Sequence, residues 1–129
     1  MDLRTQPPSR PTIVVVEDDN AVLNALAFAL DAEGFHVRMF SSASTAWADP
    51  DVGSAACVVV DQILPDEPGL DLLARLRRVG VDTPAVLITT NPTLSLRTQA
   101  AALNIPIVEK PLLGDHLFAV IRGLIPPAA

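Results

Sequence analysis

Five short runs of apolar, often β-branched residues alternate with segments of helical periodicity along the chain. The runs are TIVVVE (12–17), FHVRMF (35–40), AACVVV (55–60), TPAVLIT (83–89) and PIVE (106–109). Their length and composition predict five strands. Because strands that alternate with helices run parallel and are joined by right-handed crossovers, we expect one parallel sheet with helices on both faces. AACVVV is apolar at every position and is therefore expected at the centre of the sheet.

The segments between these runs carry helix signals. From Ala21 to Glu33 apolar residues recur at helical spacing, Asp19 or Asn20 precedes them as a cap, and Gly34 follows as a stop. We predict a short second helix in 42–49 and a third in 69–80. The fourth is expected to carry Pro92 in its first turn and to run to about Leu103. The fifth helix is predicted from a stripe of apolar residues at helical spacing, which are Leu113, Leu117, Val120, Ile121 and Leu124.

Composition narrows the class of protein. The chain has 129 residues, of which 50% are hydrophobic, and a net charge of -6, which fits one domain with a core of its own. The single cysteine, Cys57, lies within an apolar run and is predicted to fill the core. Arg75, Arg77 and Arg78 are too few to follow a phosphate backbone, so we interpret them as a solvated helix face and expect no direct nucleic-acid binding.

We expect a flexible Pro-rich leader at residues 1–10, one domain at 11–125 and a short tail at 126–129. No apolar stretch reaches the roughly 18 residues needed to span a bilayer, and the leader lacks the apolar segment of a signal peptide. These features predict a cytoplasmic protein without membrane insertion.

Polar residues stand where four of the predicted strands end. They are Glu17 and Asp18 at the end of the first strand, Asp61 at the end of the third, Thr89 at the end of the fourth, and Lys110 directly after the fifth. Ligands of such sheets bind at the carboxyl ends of the strands, where strand order reverses. We therefore expect these side chains to meet at one edge of the sheet.

The residue types predict the chemistry of that edge. Neighbouring carboxylates repel each other, and three of them form a hard-oxygen site that suits Mg²⁺. A structural Ca²⁺ site is disfavoured because calcium loops usually draw their ligands from one continuous stretch. An Asp carboxylate can also attack phosphorus while Mg²⁺ and a lysine neutralise the transferring oxygens. Asp61 is the candidate nucleophile, and the Thr89 hydroxyl could donate to a phosphoryl oxygen.

Four motifs in order, VVVEDD, VVVDQILPDEPG, LITT and VEKP, make the sequence resemble the receiver domains of two-component response regulators over about residues 12–124. The stretch GFHVRMFSSASTA is most similar to receivers of the FixJ type. The resemblance implies a CheY-like, flavodoxin-like (βα)5 fold. In that fold a doubly wound, five-stranded parallel sheet of order 2-1-3-4-5 lies between two helical layers.

The resemblance also implies roles for individual residues. Asp61 becomes the phosphoacceptor for a sensor histidine kinase or a histidine phosphotransfer protein, with Mg²⁺ as cofactor. Thr89 becomes the switch hydroxyl and Lys110 the phosphate-binding lysine, followed by a cis bond to Pro111.

The implied metal ligands are the carboxylates of Glu17, Asp18 and Asp61 and the backbone carbonyl of Ile63. Asp18 is implied to be the closer ligand of the acidic pair. Asp19 falls one place beyond that pair, so we assign it to helix capping.

Several positions depart from the family pattern. Ile107 stands where the family often has Tyr or Phe, which argues against the familiar aromatic switch. Thr90 replaces the common Gly or Ala, which predicts slower hydrolysis of the phosphorylated state. Pro92 and the segment ALNIPI (102–107) predict a reshaped loop and fourth helix.

Three functional hypotheses follow. The first is a stand-alone receiver that catalyses its own phosphorylation and dephosphorylation and signals by contact with a downstream protein, with a homodimer as an option. The second is a degenerate receiver that acts as a phosphorylation-independent interaction module. The third is an aspartyl-nucleophile phosphatase, although Ile63 stands where haloacid-dehalogenase-like enzymes place a second Asp.

Overall fold

The computed structural model describes residues 10–112 and 114–125. Its strands are Thr12–Val16 (β1), His36–Phe40 (β2), Cys57–Asp61 (β3), Ala85–Thr89 (β4) and Ile107–Glu109 (β5). Its helices are Asn20–Ala32 (α1), Ala43–Trp47 (α2), Gly69–Arg78 (α3), Leu94–Ala102 (α4) and His116–Leu124 (α5), with a 3-10 turn at Val52–Ser54. The predicted tail, Leu113 and all of the predicted leader except Arg10 lie outside the described residues.

The five strands form one parallel sheet of order β2-β1-β3-β4-β5, which confirms the predicted fold class. The chain moves outward in both directions from the β1–β3 pair, so strand order reverses there. Val16 of β1 is paired with Val60 of β3, which brings the ends of these two strands level. Thr89 is paired with Glu109 on the other side of the sheet. The register therefore aligns the carboxyl ends of the strands at one edge.

Alternate residues of the central strands enter two separate cores. One face packs against α2, α3 and α4 and includes Val14, Val16, Val58, Val60 and Leu87. The other packs against α1 and α5 and includes Ile13, Val15, Cys57, Val59, Val86 and Ile88. Because β1, β3 and β4 are covered on both sides, their sequences are apolar at nearly every position. Burial raises the pKa of the Cys57 thiol to about 12, in keeping with its predicted place in the core.

The starts of α1 and α4 test the predicted caps. Asp19 caps α1, since its Oδ1 accepts hydrogen bonds from the amides of Ala21 and Val22 at 2.9 and 3.2 Å. The prediction that Pro92 lies in the first turn of the fourth helix is wrong. Thr93 is the cap of α4, with an extended backbone and its hydroxyl accepting from the Leu96 amide at 3.0 Å. Pro92 therefore precedes the cap.

None of the helices within residues 10–112 and 114–125 combines the length and the apolar character that a membrane span requires.

Candidate functional site

Three acidic side chains meet at the carboxyl edge of the sheet. Glu17, Asp18 and Asp61 each place a carboxylate oxygen within 4.8 Å of the other two. Glu17 and Asp61 are 1% and 3% exposed, whereas Asp18 faces solvent. The pairing of Val16 with Val60 explains the contact, because Glu17 follows the first strand directly and Asp61 ends the third. The structure thus gathers the acidic residues that the sequence singled out.

Lys110 brings a positive charge to the same place. Its backbone amide donates to the Thr89 carbonyl at 2.8 Å, which continues the β4–β5 pairing by one residue. Its Nζ lies 2.8 Å from Asp61 Oδ2 and 3.5 Å from Glu17 Oε2. The Lys110–Pro111 bond is cis, as the resemblance implies. Residues 93 positions apart therefore share one ion-pair network.

Burial and charge set the protonation of this network. Burial, the hydrogen bond to Asp61 and the Asp61 charge raise the pKa of Glu17 from 4.5 to about 7, although Lys110 opposes the shift. Burial acts to lower the pKa of Lys110. The hydrogen bond to Asp61 and the charges of Asp61 and Glu17 outweigh this effect, so the net result is a raised pKa of Lys110. A neutral pH therefore leaves Glu17 part-protonated and Lys110 charged.

Thr89 and Ile63 are the two remaining predicted site residues. Thr89 is buried at the end of β4, one residue beyond Ile88, which is paired with Asp61. The Ile63 amide donates to Asp61 Oδ1 at 3.2 Å, so the chain turns back over the carboxylate directly after β3. The Ile63 side chain is 71% exposed. The metal-binding role of its carbonyl oxygen stays a prediction.

Gly69 contributes to the site, although the sequence pattern predicts only that the third helix begins there. Its amide donates to the Gln62 carbonyl at 2.9 Å, and the Leu70 amide donates to Gln62 Oε1 at 2.9 Å. A Cβ at Gly69 would stand 2.2 Å from the Asp61 carbonyl oxygen, so no larger residue fits without a backbone shift. This close approach closes the loop of residues 62–68 beside Asp61. The signal available in the sequence was the glycine at the end of LPDEPG.

The donor set fits Mg²⁺. This ion prefers oxygen ligands and usually keeps several waters while one or two carboxylates hold it. The clustered carboxylates supply oxygen donors only, and the exposed Asp18 leaves the cluster open to solvent on one side. A divalent cation would offset the repulsion between Glu17 and Asp61, which the raised pKa of Glu17 reports.

Two of the departures from the family pattern lie near this edge. Ile107 is half-buried and packs against the core that faces α2, α3 and α4, next to its strand partner Leu87. Thr90 follows β4 directly and is exposed. Asn91 adopts a left-handed backbone with φ of 46°, and the loop then leads through Pro92 to the cap of α4.

Comparison with known proteins agrees with this geometry. The sequence profile described as "Response regulator receiver domain" matches residues 13–122. The transcriptional regulatory protein FixJ of Bradyrhizobium diazoefficiens is 35% identical over 115 residues, which cover 88% of this chain and 56% of that protein. The DNA-binding transcriptional regulator NtrC of Azospirillum brasilense is 32% identical over 126 residues, covering 94% of this chain and 26% of the relative. The chain thus spans between about a quarter and about half of these relatives.

A solved structure shares the fold. The non-phosphorylated HemR receiver domain of Leptospira biflexa superimposes with a TM-score of 0.82 at 24% identity, covering 93% of this chain and 98% of that one. Receiver domains are signalling domains that histidine kinases phosphorylate and that bind Mg²⁺ through acidic residues. The sequence match over residues 13–122 and the shared sheet order lead to one conclusion: the chain belongs to the receiver domain family of two-component response regulators.

Proposed function

We propose that this receiver accepts a phosphoryl group on Asp61 from a phosphohistidine of a sensor kinase or a phosphotransfer protein, in a reaction that requires Mg²⁺. The observation that carries the proposal is the position of the Asp61 carboxylate. One of its oxygens lies within 4.8 Å of oxygens of Glu17 and Asp18, and Lys110 Nζ is 2.8 Å from Asp61 Oδ2. A carboxylate nucleophile with a cation beside it is what phosphoryl transfer needs.

The proposed step is a single displacement at phosphorus. An Asp61 carboxylate oxygen forms the new O–P bond while the P–N bond to the donor imidazole breaks and its electron pair leaves with the nitrogen. Lys110 balances negative charge on the transferring oxygens, and the Thr89 hydroxyl donates to one of them. Glu17, Asp18, Asp61 and the Ile63 carbonyl would hold Mg²⁺, which would supply further positive charge for the transfer.

The donor has a suitable surface beside the site. An apolar groove of about 550 Å³ lies between α1 and α5 and is lined by Ala25, Leu26, Leu117 and Phe118, with Lys110 at its border. An amphipathic helix can place its apolar face in such a groove. We assign the groove to the helix that carries the donor histidine, because it leads to the lysine that touches Asp61.

Phosphorylation then changes the charge at the edge and shifts the loop after β4 and helix α4 toward a state that binds a downstream protein. With Ile107 at the usual aromatic position, this shift proceeds without rotation of an aromatic side chain. The exposed Thr90 restricts access to the phosphoryl group and slows its hydrolysis. Homodimer formation stays a prediction.

The test uses acetyl phosphate as a small donor in the presence of Mg²⁺. Intact-protein mass spectrometry is expected to find a gain of one phosphoryl group on the wild type and none on Asp61→Asn. Chelation of the metal with EDTA is expected to abolish the gain. A gain that persists in Asp61→Asn would contradict the proposal. Partner binding that Asp61→Ala leaves unchanged would favour the interaction module instead.

A further inference from the structure

One exposed carboxylate ties the loop after Asp61 to a different layer of the molecule. Asp66 Oδ1 accepts a hydrogen bond from the Ala43 amide at 3.0 Å, and its Oδ2 accepts one from the Ser44 amide at 2.8 Å. Both amides belong to the first turn of α2, where backbone donors have no partner within the helix. These hydrogen bonds lower the pKa of Asp66, and the bond from the Ser44 amide has the largest effect. The carboxylate is therefore charged at neutral pH.

The same loop has further attachments. Its beginning is held by the Ile63 amide on Asp61 Oδ1, and its end by the Gly69 amide on the Gln62 carbonyl. Glu67 forms an ion pair with Arg75 of α3. The Arg75 guanidinium stacks 4.5 Å from the centre of the Trp47 ring of α2, so this arginine is not part of a fully solvated face. The middle of the loop therefore reaches α2 through Asp66 and, less directly, through Glu67.

Helix α2 has a cap of its own that does not depend on Asp66. Ser42 is the cap residue, and its hydroxyl accepts a hydrogen bond from the Thr45 amide at 3.2 Å. The hydrogen bonds to Asp66 add to a helix start at which one backbone amide, that of Thr45, already has a partner. Their larger effect is therefore expected on the loop, which joins Asp61 to α3 with several residues outside regular structure.

We propose that Asp66 is a positioning residue for metal binding. By fixing the 62–68 loop against α2, it holds the Ile63 carbonyl oxygen at the acidic edge before the ion arrives. This inference rests on the proposed function, in which that carbonyl is a metal ligand. Without the tie, the loop must lose its conformational freedom when the metal binds, and that cost weakens the affinity.

The test compares Asp66→Ala with Ser42→Ala in the full chain. Isothermal titration calorimetry is expected to show a Kd for Mg²⁺ about tenfold higher in Asp66→Ala, the low end of the effect of residues that orient metal ligands. Ser42→Ala removes a cap from the same helix but leaves the loop tied, so its Kd is expected to match the wild type. At saturating Mg²⁺ the rate of phosphorylation by acetyl phosphate is expected to stay within about twofold of wild type in both variants.

A conservative variant and a metal-free measurement complete the design. Asp66→Asn keeps one acceptor oxygen, so its Kd is expected between those of wild type and Asp66→Ala; it also serves as the test if the alanine variant does not fold. In metal-free protein, amide exchange at residues 62–68 is expected to accelerate in Asp66→Ala and not in Ser42→Ala. Equal Mg²⁺ affinity in all variants, or equal weakening by Ser42→Ala, would overturn the inference. A wild type that binds no Mg²⁺ would overturn the proposed function as well.

Discussion

The two ends of the sheet use the same strands for opposite purposes. At the amino ends, backbone amides donate hydrogen bonds to backbone carbonyls of the neighbouring segment. The Ala56 amide donates to the Thr12 carbonyl and the Val58 amide to the Pro84 carbonyl, both at 2.8 Å. At the carboxyl ends, the buried acids Glu17 and Asp61 stand beside Lys110. Four polar residues are buried in the described part of the chain, and three of them lie at this second end.

The threonines that flank β4 show the contrast most simply. Thr83, before the strand, is buried and donates its hydroxyl hydrogen bond to the Gly53 carbonyl at 3.1 Å. Thr89, at the end of the strand, is equally buried but follows Ile88, the strand partner of the acidic Asp61. A buried polar group costs free energy unless it is hydrogen-bonded. The amino end therefore favours stability, while the carboxyl end keeps charges together at a cost that function explains.

The largest expected effect comes from removing the positive charge of Lys110. Lys110→Met is expected to slow phosphorylation by acetyl phosphate about 10²- to 10³-fold, the range seen when one charge-stabilising group is lost from a transition state. Arg122→Met is the matched control, since Arg122 pairs with Glu33 on the surface. Quench-flow or mass-spectrometric rates decide the outcome. Similar rates for the two variants would contradict the special role of the carboxyl end.

The next effect concerns stability and pH. The folded-state pKa of Glu17 is about 7 and its ordinary value 4.5, so the folded state binds more protons between these values. Metal-free wild type is therefore expected to lose stability relative to Glu17→Gln as pH rises through this window. The limit is about 3 kcal/mol at pH 8, since each pKa unit is worth about 1.4 kcal/mol.

Urea unfolding of both proteins at pH 5 and pH 8, with EDTA present, measures this difference. The free energies of unfolding are expected to be similar near pH 5 and to favour Glu17→Gln at pH 8. Added Mg²⁺ at pH 8 is expected to stabilise the wild type more than the variant. A constant difference across the pH range would show that Glu17 carries no unusual proton affinity.

The smallest effects separate the two threonines. Thr83→Val is expected to lower the free energy of unfolding by about 1 kcal/mol, because the Gly53 carbonyl loses its donor, and to leave phosphorylation unchanged. Thr89→Val is expected to slow phosphorylation about tenfold, because a hydrogen bond to a charged oxygen is worth about 1.5 kcal/mol. Chemical unfolding and phosphorylation rates of both variants test this. Interchanged or identical effects would remove the distinction between the ends.

The sequence predicted the carboxyl edge because the prediction needs little more than strand order. The end of each strand is marked by a polar residue after an apolar run, and parallel strands bring such ends together. Strand order therefore predicts that Glu17 and Lys110 lie close together, and these two residues, far apart in the chain, form an ion pair. The helical faces followed from periodicity in the same way.

The loops were harder to predict, for physical reasons. The tie between Asp66 and the start of α2 depends on the path of a loop relative to a distant helix, which no periodic pattern records. The contact of Gly69 with the Asp61 carbonyl depends on the same path. Pro92 suits a first helical turn as well as a position before a cap. The left-handed Asn91 and the hydrogen bond of Thr93 decide for the second.

The role of Asp61 as phosphoacceptor is best tested by a crystal structure of the protein treated with Mg²⁺ and beryllofluoride, a mimic of the phosphoryl group. We expect one adduct on the Asp61 carboxylate, in contact with Lys110 Nζ and Thr89 Oγ1, with one metal ion against Asp18. An adduct on another carboxylate, or an Asp61 that binds neither group while Lys110 stays paired with it, would rule this role out.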